Sequence, residues 1–105
     1  MKQQALYRQG DVLFRRIDSI PNAPEKKKRE NGVVAYGEAT GHTHAVADLQ
    51  AAEVLEIGEG LYVRVGESGV SIRHQEHGPI DLPAGDYAVT IQREYSPERN
   101  RSVAD

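Results

Sequence analysis

The chain has 105 residues, a formal net charge of -3, 38% hydrophobic and 28% charged residues, and no cysteine. That length accommodates one domain, residues 1–105, built around one hydrophobic core. The acidic balance argues against a nucleic-acid partner, whose binders carry a basic face, and the lack of cysteine excludes disulfides and thiolate metal ligands.

At the N-terminus, "MKQQALYRQGD" lacks the apolar run of a signal peptide. No later stretch approaches the roughly 20 apolar residues of a membrane span, so a soluble cytoplasmic protein with no membrane partner is expected. "DVLFRRI" (11–17) reads as a strand. "IPNAPEKKKRENG" (20–32) breaks the pattern with two prolines, a run of like charge and an Asn-Gly pair, and reads as an exposed, solvated loop. "GVVAYGEAT" (32–40) reads as the next strand. "ADLQAAEVLEI" (47–57) permits a short helix through its alanines, although "EVLEI" running into "GEG" fits a strand better.

Further on, the period is two. Leu61, Val63 and Val65 share one face of "LYVRV", Val70, Ile72 and His74 one face of "VSIRH", and Tyr87, Val89 and Ile91 one face of "YAVTIQREY". Such alternation marks half-buried antiparallel strands. "GEG" (58–60), "GESG" (66–69) and "PAGD" (83–86) suit hairpin turns. Residues 96–105 read as a loose polar tail. The count is seven or eight short strands with little helix: an all-β domain, a small barrel or a two-sheet sandwich.

All four histidines occur in two tight pairs, His42 and His44 in "GHTH", His74 and His77 in "HQEH". Residues two apart on a strand point the same way, about 6.6–6.8 Å apart, so His42 and His44 can reach one ion. Their parity matches Val34, Tyr36 and Val46, with Gly41 a candidate bulge position. His74 shares its face with Val70 and Ile72, and His77 follows at a strand end. Either pair alone is more often a set of hydrogen-bonded core residues than a ligand set. Two pairs with no histidine elsewhere favour a divalent metal, because one ion satisfies several buried imidazoles together.

Zinc is the expected ion, with iron, manganese, nickel or copper as alternatives for imidazole ligands. Four histidines on one ion make a closed structural shell, whereas three plus water leave a position for chemistry. Glu76, held between His74 and His77, is the candidate general base; Glu38 and Asp48 are further candidate carboxylate ligands. Arg93 and Tyr95 in "QREY" share a strand face at a strand end.

His42-x-His44 followed by Asp48 resembles the first metal motif of cupins, and "LPAGDYAV" (82–89) the Pro-x-Gly turn of their second motif. The resemblance departs at Ala88, where a histidine is expected, and at Asp48, where the cupin acid is glutamate. It implies a metal site within a small barrel, with His74 or His77 replacing the missing ligand. "GEATGHTH", "HQEHGPIDLPAGDY" and "QREY" are also similar to a group of short, mostly uncharacterised bacterial and phage proteins. Three functions follow as expectations: a metal-binding protein; a cupin-type metalloenzyme with a small-molecule ligand in a pocket of Tyr36, Ile72, Tyr87 and Arg93; or a non-catalytic phage or accessory interaction module. A monomer or a homodimer suits each.

Overall fold

The computed structural model describes residues 5–36 and 42–92. Among them lie ten strands: β1 (Leu6–Gln9), β2 (Val12–Ile17), β3 (Lys27–Arg29), β4 (Val33–Tyr36), β5 (Thr43–Val46), β6 (Ala52–Ile57), β7 (Gly60–Val65), β8 (Val70–Arg73), β9 (Ile80–Leu82) and β10 (Gly85–Ile91). No helix among the described residues is long and apolar enough to cross a membrane. The expected all-β class holds, with ten strands in place of seven or eight. β1, β3 and β9 are too short or too polar to show alternation.

The strands form two antiparallel sheets, one ordered β1-β2-β10-β7-β6-β3 and the other β4-β5-β8-β9. They are not closed into a barrel, so the sandwich alternative is the correct one. Alternation puts Val12, Phe14, Val54, Val63, Val65 and Tyr87 of the larger sheet against Val34, Val46, Val70, Ile72 and Leu82 of the smaller. Phe14, Ile72 and Tyr87 are fully enclosed, each contributing about 1.5–3 kcal/mol of apolar burial. The Tyr87 hydroxyl donates to Pro83 O at 2.7 Å, which satisfies the one polar atom that ring buries.

Three loop expectations change. Gly58 has φ 57° and closes the β6–β7 hairpin, with Ile57 opposite Gly60. By contrast, 66–69 and 83–84 carry the chain between the two sheets, because β7 and β10 belong to one sheet and β8 and β9 to the other. The second two-residue hairpin turn is Gly10–Asp11, with Gln9 opposite Val12 and φ 61° at Gly10. The charged 20–32 segment is also more than a loop. Ile20 is buried and its N–H donates to Asp86 Oδ2, while β3 pairs with β6. Arg29 pairs with Glu56 and donates to Val33 O and Val34 O, joining the edge of one sheet to the edge of the other.

That second contact explains a parity error. The β4–β5 register slips between Val33 and Ala35, so Val34 and Ala35 are both buried and Tyr36 turns outward, 55% exposed. The bulge lies in β4, and Tyr36 does not share the inward face of Val34, His44 and Val46. Residues 47–51 form a turn, and 52–57 are strand, not helix.

Candidate functional site

β5 and β8 run antiparallel, with Ala45 opposite Arg73 and Val46 opposite Ile72. Continuing that register past the end of β8 sets His44 opposite His74 and His42 opposite Glu76. The two motifs therefore meet because they are antiparallel neighbours. The His44 and His74 ring centroids are 4.3 Å apart, His74 and His77 4.7 Å, His42 and His74 5.5 Å, and His44 and His77 6.3 Å. Thr43 N–H donates to Gln75 Oε1 at 2.9 Å and ties the strand start to the bend after β8.

The third side of the cluster comes from the larger sheet, at the β1–β2 turn. Gln9 is 2% exposed. Its Nε2 donates to Ile72 O and Gly78 O, both at 2.9 Å, and its Oε1 meets His44 Nδ1 at 2.8 Å. Gly10 lies beneath the exposed His77 ring: its positive φ favours glycine, and a Cβ there would stand 2.6 Å from His77 Nε2 and displace that ring. Asp11 Oδ1 is 3.9 Å from His44 Nε2, and on the outer side Glu76 Oε1 is 3.8 Å from His42 Nδ1. Neither pair is within hydrogen-bond range.

The hydrogen bonds decide where the ring protons sit. Gln9 must present its NH₂ to two carbonyls, so its Oε1 is an acceptor and His44 Nδ1 carries the proton. His44 Nε2 is then an unprotonated acceptor facing Asp11. Burial, with repulsion from His74 and His77 and despite the attraction of Asp11, pushes the His44 pKa down to about 4, so the ring is neutral at pH 7. In His74 the pattern reverses, because its Nδ1 accepts from the backbone N–H groups of Glu76 and His77, both at 3.0 Å. Burial, then His77 and His42, also lower the His74 pKa, opposed by Glu76 and Asp11.

Among the described residues, no group of three or more His, Asp or Glu side chains is arranged so that it could hold a metal ion.

The carboxylates beside the rings are Asp11 and Glu76. Asp48 accepts from Gln50 N within its own turn, and Glu38 lies outside the described residues. Among the described residues, Tyr36, Ile72 and Tyr87 of the expected pocket do not line a common cavity. Ile72 and Tyr87 are sealed in the core, Tyr36 stands outward beside Lys27 and Lys28, and Arg93, like Tyr95 and the tail 96–105, lies outside the described residues.

Sequence reading missed Gln9, Gly10 and Asp11. A signal for the turn existed, since Gly-Asp between "LYRQ" and "VLF" is a hairpin pattern. Nothing local marks Gln9 as buried. A family model described as a domain of unknown function, DUF8820, matches residues 8–92, which include both histidine pairs and the 9–11 turn. No curated protein and no solved structure matches the chain.

Proposed function

We propose that this chain, which belongs to the DUF8820 family, uses its histidine cluster to hold one divalent transition metal ion, zinc foremost. The observation that carries the reading is the facing of two acceptors, His44 Nε2 and Asp11 Oδ1, across 3.9 Å. A neutral imidazole nitrogen and a carboxylate oxygen are both ligand atoms that zinc accepts. Gln9 supports the same reading: metal-bound histidines characteristically donate their other N–H to an oxygen, which fixes ring and tautomer. The remaining rings lie close enough to join the shell through side-chain rotation. Zinc suits such a site because it imposes little geometric preference of its own, and a set of imidazoles and carboxylates matches its chemistry.

The test is zinc addition to untagged, metal-free protein. One equivalent binds, and zinc at 100-fold above its dissociation constant adds about 2.7 kcal/mol of stability, or about 10 °C in melting temperature. His44→Ala loses the effect. An unchanged melting point in saturating zinc refutes the proposal and leaves the non-catalytic interaction module as the better reading.

A further inference from the structure

We infer that the outer edge of β1 is a docking site for an acidic partner peptide, which adds to the larger sheet as a seventh strand. The site is independent of the metal reading, because it uses no residue of the histidine cluster.

Register decides which backbone groups are available. The two-residue turn Gly10–Asp11 makes Gln9–Val12 a hydrogen-bonded closing pair, and such pairs alternate along the ladder. Tyr7–Phe14 is the next one, and Arg16 N–H donates to Ala5 O at 2.9 Å one repeat further on. Leu6 and Arg8, in the intervening pairs, therefore direct both N–H and C=O away from β2. β1 is a terminal strand of its sheet, and no described strand pairs with that side. The other three terminal strands carry features that discourage strand addition. β3 bears Lys27 and Lys28, the bulged β4 has Val33 O and Val34 O held by Arg29, and β9 has three residues between Pro79 and Pro83. β1 has no lysine, proline or bulge.

Side chains set the partner's chemistry. Tyr7 and Gln9 face the other sheet, so Leu6 and Arg8 stand on the outer face, as do Leu13, Arg15 and Ile17 of β2. Leu6 lies opposite Arg15 and Arg8 opposite Leu13, a checkerboard of apolar and cationic side chains with no carboxylate on that face of the hairpin. Leu6 is 60% exposed, Arg15 has no ion-pair partner among the described residues, and Arg8 uses only its Nε, on Gly10 O. A strand added antiparallel to β1 places one residue opposite Arg8 and, two residues later, one opposite Leu6. A carboxylate at the first position and an apolar side chain at the second complement this face, since opposite charges across a ladder stabilise it and like charges do the reverse. A second copy of the chain fits less well, because β1 against β1 gathers Arg8 and Arg15 from both copies on one face.

The experiment titrates the whole chain with the blocked peptide Thr-Glu-Thr-Val-Thr, followed by ¹H–¹⁵N amide spectra. The Leu6 and Arg8 amide resonances move, and their exchange with solvent slows. Methylating the peptide's Glu and Val backbone nitrogens, the donors to Arg8 O and Leu6 O, abolishes binding. Methylating the central Thr nitrogen, which points away from β1, preserves it. Arg8→Glu weakens the unmodified peptide on the order of tenfold, as an attractive charge pair gives way to a repulsive one. Absence of binding, equal affinity of the two methylated peptides, unchanged affinity in Arg8→Glu, or shifts confined to Lys26, Lys27 and Lys28 overturns the inference. So does a dimer formed through β1 that the peptide leaves intact in sedimentation.

Discussion

Replacing Gln9 by leucine isolates what the buried amide does. The substitution keeps the size and removes three hydrogen bonds: two donated to Ile72 O and Gly78 O, and one accepted from His44 Nδ1. The Ile72 and His44 bonds are buried, so water does not replace them readily; the Gly78 bond is only partly buried. At about 1–3 kcal/mol for each buried group left unpaired, and less at Gly78, the loss sums to about 3–5 kcal/mol. For a domain of this size that lowers the melting temperature by about 12–20 °C. With Nδ1 of His44 released, ring and tautomer are no longer held, and zinc affinity falls about 10- to 100-fold. Gln9→Glu separates the two effects. It keeps an acceptor for His44 Nδ1–H but sets a carboxylate against two carbonyls, so it destabilises the fold and keeps most of the zinc affinity. Thermal unfolding by circular dichroism reads the first effect, and competition with a chromophoric chelator the second. Equal zinc affinity in the wild-type and leucine proteins, or an unshifted melting curve, refutes this account of Gln9.

Three other outcomes are expected. In metal-free protein, the folded-state pKa of His44 near 4 lies below its unfolded value of 6.5, so the unfolded chain takes up the proton first. Stability is then full above about pH 6.5 and falls by about 3 kcal/mol as the pH drops toward 4, with His74 acting in the same direction; denaturant melts that are flat from pH 7 to 4.5 contradict this. Gly10→Ala forces a side chain into positive φ and against His77 Nε2, costing about 1–2 kcal/mol and displacing that ring, so both melting temperature and zinc affinity fall. Arg29→Ala removes the donors to Val33 O and Val34 O and the partner of Glu56, at the edge that carries β3 and β4. It lowers the melting temperature and leaves zinc affinity at the wild-type value; a change in that affinity argues against an independent edge contact.

What the sequence determined by itself was the fold class and the pairing of the histidines. Period-two alternation in "LYVRV", "VSIRH" and "YAVTIQ" reflects a pleat that turns successive side chains to opposite faces, so it is legible wherever one face is buried. The histidine pairing was equally visible, as was the inward face of His74 through Val70 and Ile72. Tertiary structure decided which strands are neighbours, because pairing across tens of residues leaves no local trace. For that reason the 66–69 and 83–84 connections pass between sheets although their glycines suit hairpins, and the four-residue alternation before Tyr36 fails at a bulge stabilised from β3. The same holds for the site. His44 meets His74 through strand register, but Gln9, Gly10 and Asp11 arrive from the opposite sheet, 33 or more positions earlier in the chain. The ring tautomers were beyond any sequence reading, since a proton's position depends on which acceptor or donor lies within 3 Å after folding.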